Sequence, residues 1–443
     1  MFLNSRKQTV VVGMSGGVDS AAAALLLKEE GYNVVGLFMR NWEEEDENGV
    51  CAAAADFEDV KAVCGTIGIP YYSVNFSKEY RENVFSYFLA EYKAGRTPNP
   101  DVLCNREIKF GPFLAYARGL GADFIATGHY CGLEKRDGNN YLLKAADKSK
   151  DQTYFLNQVP AACFDRVLFP LAELQKSEVR GRAAAARLPV ADKKDSTGLC
   201  FIGERDFKRF LSGFLPAQPG AIKTMKGQEV GRHDGLMYYT LGQRRGLNIG
   251  GVKDLPEGRW FVVNKDLERN ILYVSCGDEG PLYSRGVTTG KPNWIPLFNA
   301  QCTMHNAQLE DDDKGQGTSD KGQVKDKTET VNRQLSTVNC AKGCYSERSE
   351  ESPPDRDETD NCLLLPVCAA PISSDIVERR LAFKCAAKFR YRQEEQGVTV
   401  RILAGGGLRV DFDGPQRAVT PGQYVVFYQG RYCLGGAPIE TTE

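Results

Sequence analysis

Ser15-Gly16-Gly17-Val18-Asp19-Ser20 is the stretch from which the rest of this chain can be read. Thr9-Val10-Val11-Val12-Gly13 lies just upstream, a β-branched run that predicts a buried strand. Just downstream, the Ala- and Leu-rich run from Ala21 to Glu30 predicts a helix that stops at Gly31. A strand, a glycine turn and a helix start together make an anion site. Glycine lets the backbone approach a phosphate closely, while the free N–H groups of the helix end and the positive end of its dipole face the negative charge.

No Gly-Lys-Ser or Gly-Lys-Thr follows the glycines, so the stretch is not a Walker A loop. It resembles instead the signature of the PP-loop ATP pyrophosphatases, whose members cleave ATP between its α and β phosphates and adenylate a substrate. A lone pair of glycines would fit an ordinary strand-to-helix turn. Six residues in this strand and helix context favour the phosphate site.

A chain of 443 residues is long enough for two or three domains, and 42% hydrophobic residues supply an ordinary core. No apolar run approaches the roughly 18 residues of a membrane span. Met1-Phe2-Leu3-Asn4-Ser5-Arg6-Lys7 lacks the apolar centre of a signal peptide, so a cytoplasmic protein is expected. Its 14 cysteines then read as thiols more readily than as structural disulfides. With a net charge of -2, a polyanionic partner has to be met by local basic patches.

The first two hundred residues alternate strand and helix patterns. Asn33–Met39, Tyr71–Asn75 and Phe124–Thr127 read as strands, and Ala53–Gly68, Glu79–Lys93 and Ile108–Leu120 as helices. This rhythm predicts an α/β domain over 1–206 with a doubly wound parallel sheet, and ligands at the carboxyl ends of its strands. The loops at Met39, Asn75 and Thr127-Gly128-His129 are therefore expected to meet the loop at Ser15. Two prolines shape Gly95–Asn105 into a loop ahead of the helix at Ile108.

Glycine, proline and β-branched residues then rise, predicting a small β-rich central domain over 207–280. Short strands at Val398–Leu403, Leu408–Phe412 and Tyr424–Phe427 predict a C-terminal antiparallel β-barrel over 281–443. Residues 299–380 break that pattern with polar, acidic, Gly- and Ser-rich sequence and read as a disordered insertion. Within it, Cys340 and Cys344 have a ligand spacing, but Cys362 and Cys368 lie too far apart for the usual second pair, so no metal site is predicted.

Cys104 and Cys200 fall in irregular segments, one near Lys109 and the other after Lys193 and Lys194. A reactive thiolate needs such electropositive, partly exposed surroundings, yet the residues alone leave reactive and inert thiols equally open. Cys64 lies inside a predicted helix and reads as core; Cys51 is ambiguous. Asp101, after Pro100, fits an acid or base as well as a turn cap. Arg390-Tyr391 suits phosphate contact and base stacking, or a solvated strand face. His129 has no second ligand at helical spacing and reads as a loop-packing or nucleotide-neighbour residue.

Several strings occur together and in order: Gly13–Ser20, Asn99-Pro100-Asp101-Val102-Leu103-Cys104-Asn105, Ala126–Tyr130, Lys150-Asp151-Gln152, Asp195–Gly203, Tyr239–Leu247, Phe389–Gln393 and Val419–Gln423. In that combination the chain resembles the bacterial tRNA-specific 2-thiouridylase family, over essentially its whole length apart from the insertion. The resemblance implies sulfur transfer to C2 of the wobble uridine of certain tRNAs. It implies that Gly13, Met14, Ser15, Gly16, Gly17, Val18, Asp19, Ser20, Met39 and Gly128 hold ATP, with Asp19 helping to place Mg2+. It further implies that Cys200 carries a persulfide from a sulfur donor, that Cys104 is the nucleophile that resolves it, and that a Cys104–Cys200 disulfide is left. Asn99, Pro100 and Asp101 would meet the tRNA, with Asp101 at the base, which has to be flipped out of its stack. Lys150, Asp151, Gln152, Arg390 and Tyr391 would meet the tRNA. Another PP-loop ligase, or a non-catalytic RNA-binding protein with a nucleotide fold, is the rival reading; the paired cysteines weigh against both.

Overall fold

A computed structural model of the chain describes residues 7–43, 52–195, 207–250, 258–295 and 382–443. Cys51, Cys200 and the expected insertion at 299–380 lie outside these described residues.

The chain starts as the glycine loop demands. Strand β1 (Thr9–Met14) runs into helix α1 (Val18–Glu29), followed by β2 (Asn33–Arg40), the helix Ala52–Ile67, β3 (Tyr71–Asn75) and β4 (Phe124–Thr127). A hairpin, β5 (Cys131–Arg136) and β6 (Asn139–Lys144), then precedes the short β7 (Val167–Leu168). The sheet is parallel in the order β3-β2-β1-β4-β7. Alternation along β1 shows that it is covered on both faces. Val11 packs into a core with Leu37, Ile125 and Phe113, while Val10 and Val12 pack into a second core with α1 and Val60. Each fully buried valine contributes roughly 1.5–3 kcal/mol relative to exposure.

Two helical expectations need correction. Residues 95–105 are not all loop: a helix starts at Pro100, spans Pro100–Cys104 and continues through a π-helical turn, Asn105–Lys109. Asn99 accepts a hydrogen bond from Val102 N at 3.4 Å and Pro100 takes the first position, where its missing N–H costs nothing. Cys104 is therefore helical and only 4% exposed, not a loop thiol. A second π-helical turn, Arg81–Phe85, interrupts the helix expected at Glu79–Lys93. Cys64 is core, and burial pushes its thiol up to about 11.

The middle of the chain forms a four-stranded sheet from β8 (Gly220–Thr224), β9 (Glu229–His233), β10 (Trp260–Asp266) and β11 (Ile271–Cys276), in the order β10-β11-β8-β9. The C-terminal strands are β12 (Tyr283–Thr289), β13 (Asn293–Trp294), β14 (Ala382–Lys388), β15 (Gln396–Ile402), β16 (Leu408–Arg417), β17 (Tyr424–Gln429) and β18 (Tyr432–Thr442). They close into an antiparallel barrel, β12-β16-β15-β14-β17-β18 and back to β12 through Val287↔Thr442. Val287, Phe383, Val400, Val410, Phe427 and Ile439 are among the residues that fill it. The β5–β6 hairpin, which the sequence reading missed, adds to the outside of the barrel through Cys433↔Leu142. Among the described residues no helix is long and apolar enough to cross a membrane.

Candidate active site

The glycine loop is held in shape from three sides. Gly16 has φ +72°, and a Cβ there would stand 2.7 Å from Asp56 O, so the position needs glycine on both counts. Ser20 Oγ donates to Gly17 O at 3.1 Å and accepts from Ser15 N at 3.1 Å, tying the loop to the first turn of α1. Lys193 Nζ reaches Gly16 O at 3.1 Å and pairs with Asp56 and Asp59 at 2.8 and 2.6 Å. Gly128 packs on the backbone of the same turn: a Cβ there would lie 2.7 Å from both Asp19 C and Ser20 N. Met39, half-buried at the end of β2, lies beside Gly13, where a Cβ would meet its Cε at 3.6 Å. The carboxyl end of β1 is thus flanked by Met39 and Gly128. Asn75 lies one strand further out, opposite Arg40, and its side-chain bonds are to Glu43 and Ser77.

Asp19, in the first turn of α1, is not solitary. Lys176 Nζ donates to its Oδ1 and Oδ2 at 2.7 and 2.8 Å, and Tyr130 OH donates to Oδ1 at 2.8 Å. Burial and the Asp19 charge together raise the Tyr130 phenol, so it remains a donor. Lys176 also pairs with Asp195 at 2.8 Å, and Asp195 receives Lys150 at 2.9 Å and Arg180 at 2.8 Å. Burial alone would raise the Asp195 carboxyl, but the bonds from Lys150 and Lys176 outweigh it and hold it at about 2. From sequence, Tyr130 and Asp195 enter only as members of longer strings and Lys193 only as a cation ahead of Cys200, and nothing marks Lys176. Lys176 follows Asp19 by 157 positions, and no local pattern signals such a pair.

Asp101 is exposed, but desolvation by the surrounding protein raises its carboxyl, with Lys109 pulling the other way. The same Lys109 acts on His129. Burial first, and Lys109 second, push this imidazole well below its usual range, so it is neutral, with Thr127 Oγ1 2.7 Å from Nδ1. His129 adjoins Gly128, which packs on the first turn of α1, and its ring lies 6.3 Å from that of Phe110, which ends the π-helical turn after Cys104. Next to Cys104, the buried Asn105 donates to Phe155 O at 3.0 Å, and its Oδ1 finds no donor among the described residues.

The residues expected at the RNA are mostly engaged within the protein. Lys150 is half-buried against Asp195. Asp151 is buried, accepts from Thr153 Oγ1 at 2.8 Å and Ala145 N at 3.2 Å, and faces Lys388 at 3.7 Å. Gln152 Oε1 accepts from Tyr130 N at 3.0 Å. Tyr391 packs against Phe155 with ring centroids 4.4 Å apart and planes tilted by 44°, and donates to Lys150 O at 3.3 Å; burial pushes its phenol up to about 12. Arg390 is exposed, and its guanidinium donates to the carbonyls of Arg417 and Ala418.

A parallel sheet with an anion loop at its carboxyl edge, followed by a β-rich module and a closed barrel, defines a PP-loop enzyme with two accessory domains. Family models match in the same order: the tRNA methyl transferase HUP domain over residues 8–204, the tRNA methyl transferase PRC-barrel domain over 208–276 and the aminomethyltransferase beta-barrel domain over 372–439. The chain is 50% identical over 432 residues to tRNA-specific 2-thiouridylase MnmA 2 of Geobacillus kaustophilus (strain HTA426), covering 97% of this chain and 94% of the relative. It is 49% identical to tRNA-specific 2-thiouridylase MnmA of Bacillus subtilis (strain 168), with the same coverage of each. The chain belongs to the MnmA family of tRNA-specific 2-thiouridylases.

Proposed function

We propose that this chain is an ATP-dependent tRNA 2-thiouridylase that replaces O2 of the wobble uridine in certain tRNAs with sulfur, releasing AMP and pyrophosphate. Besides the family, one observation carries the reading. The ring of Phe110, at the end of the π-helical turn that continues the Asp101 and Cys104 helix, lies 6.3 Å from the ring of His129, the residue after Gly128. The helix bearing Asp101 and Cys104 thereby belongs to the same end of the sheet as the phosphate loop.

In the proposed sequence the loop from Gly13 to Ser20, with Met39 and Gly128, binds ATP, and the N–H groups at the start of α1 face its phosphates. The uridine O2 attacks the α phosphate and pyrophosphate leaves, which turns a poor leaving oxygen into AMP. Sulfane sulfur carried on Cys200 attacks C2 and AMP departs. Cys104 then attacks the Cys200 sulfur, which breaks the sulfur–sulfur bond, leaves the thiocarbonyl on the base and forms a Cys104–Cys200 disulfide that a reductant must reopen. Asp101, with its raised carboxyl, serves the base as proton donor or acceptor.

Mg2+ fits this site on the terms it usually takes: one carboxylate, Asp19, with phosphate oxygens supplying other ligands. Bound there, it would neutralise charge on the departing pyrophosphate. Among the described residues no cluster of three acidic, His or Cys side chains forms a separate metal cage. Asp19 shares its carboxylate with Lys176, so Lys176 holds the negative charge of the site in check before nucleotide arrives.

For the tRNA we assign Asn99, Pro100 and Asp101 to the flipped base, and Lys150 with Arg390 to phosphates. Asp151, Gln152 and Tyr391 shape that surface from beneath. The sulfur comes from a persulfide donor or relay protein. The domain limits that go with this reading are 1–206 for adenylation and thiolation, 207–280 for the central module and 281–443 for the tRNA-contacting barrel, in the cytoplasm where ATP and tRNA meet. The test is a pair of variants. Cys200→Ser should lose thiolation while keeping ATP and tRNA binding, and Cys104→Ser should be inactive yet accumulate persulfide on Cys200, read by mass spectrometry. Full thiolation by either variant, or persulfide found mainly on Cys104, overturns the assignment.

A further inference from the structure

Residues 95–99 lead into the helix of Asp101 and Cys104 without regular structure of their own, and both β modules grip them. From the middle module, Lys265 Nζ donates to Gly95 O at 3.0 Å, Leu267 fills the space where a Gly95 side chain would be, and Thr240 Oγ1 lies 3.4 Å from Thr97 Oγ1. From the barrel, Pro421 O accepts from Thr97 N at 3.0 Å. Gly422 has φ +89°, and a Cβ there would stand 2.9 Å from Thr97 O. The closest engagement is by Gln423. Its Nε2 donates to Thr97 O at 2.8 Å and Pro98 O at 3.2 Å, and its Oε1 accepts from Asn99 Nδ2 at 3.4 Å.

Three consecutive residues therefore converge on one amide. Pro98 and Pro100 have no N–H, so this stretch cannot join a ladder, and its carbonyls need donors from elsewhere. Glutamine supplies two donor hydrogens and an acceptor at one end; glutamate would set a negative charge against two carbonyls, and methionine would fill the same space with no donor. Gln423 is itself fixed: Ile439 N donates to Gln423 O at 2.8 Å, and Gly422 N donates to Ile439 O at 2.9 Å. Asn99, held through Nδ2, uses its Oδ1 to cap Val102 N. The contact thus passes from strand β18 through Gln423 and the cap Asn99, five residues before Cys104, into the helix start.

We propose that Gln423 is a positioning residue for thiolation: a barrel side chain that sets where the Asp101 and Cys104 helix begins, and so couples the barrel to the catalytic geometry. The proposal rests on the roles given above to Asp101 and Cys104. Gln423→Met and Gln423→Glu in the full chain test it, with three readouts: the single-turnover thiolation rate at saturating tRNA, the Kd for tRNA, and amide hydrogen exchange by peptide. Both variants should lower the saturated rate by about tenfold or more and leave Kd within about twofold, the signature of an interaction needed only for the chemical step. Exchange should quicken in the peptide spanning 95–105 and nowhere else. An unchanged rate overturns the proposal. So does a loss of affinity with the saturated rate preserved, which would make Gln423 an RNA contact. So does exchange that quickens across the whole protein in both variants, which would make it a structural prop. Thiolation by Cys104→Ser would sink the underlying assignment instead, and the exchange pattern of the Gln423 variants would still report whether the helix start depends on the barrel.

Discussion

Asp19 is drawn in two directions. A carboxylate in the first turn of a helix is favourable by dipole, yet it sits where phosphate must bind, and only a cation makes that tolerable. Lys176, 12% exposed at its side chain, supplies the cation within the protein and passes the charge on to Asp195. This network makes a pH prediction. The Asp195 carboxyl is depressed to about 2, against an unfolded value of about 3.9. Its contribution to stability is thus fully present above about pH 4 and is lost as pH falls through about 2. Asp195→Asn should be less stable than the unaltered chain at pH 6, and the two should converge in denaturant midpoint as pH is lowered toward 2. A gap that stays constant over that range would show that the network is not held by charge. At this scale the sequence made the loop from Ser15 to Ser20 legible, because it is a local string between a clear strand and a clear helix. It did not reveal Lys176, Tyr130 or Asp195, whose roles exist only once distant segments meet.

Elements were legible where periodicity was strong and misread where capping chemistry outweighed it. The valine run of β1 and the alanine run of α1 have one reading each, and both formed as expected. Between residues 95 and 105 two prolines suggest a loop, but a proline at the first position of a helix, after an asparagine that caps it, is a start signal. The β5–β6 hairpin was missed because its register is settled by the barrel strand it joins, not by its own sequence. Gly128, which the resemblance puts at the nucleotide, has a steric reason of its own to be glycine. Alanine there would press its Cβ to 2.7 Å from the backbone of Asp19 and Ser20. Overpacking of this kind costs about 1–3 kcal/mol. Gly128→Ala should therefore lower Tm modestly and weaken ATP binding by a larger factor than tRNA binding, measured by titration calorimetry for each ligand. Equal weakening of both would mean that the whole domain has shifted and not the first turn of α1.

The whole molecule places its accessory modules around one short segment. The barrel is a closed ring of six strands, and every pairing of that ring is made by described residues. The long sequence between β13 and β14 lies outside the described residues. Its composition supplies few apolar residues in any sustained period, and stretches such as Asp311-Asp312-Asp313 and Glu347-Arg348-Ser349-Glu350-Glu351 bury little on ordering. Loop-closure entropy grows only with the logarithm of length, about 0.6 kcal/mol per doubling, so shortening the connection changes barrel stability little. Its acidic runs would also repel phosphate if they lay over Arg390. From these arguments, deletion of Leu309–Ile376 should leave thiolation and tRNA affinity within about twofold, a difference well under 1 kcal/mol. Limited proteolysis of the unaltered chain should cut between those residues before it cuts the parallel-sheet domain. A deletion that abolishes tRNA binding while preserving Tm would assign the segment an RNA-facing role, and the barrel surface around Arg390 would then have to be read as shared with it.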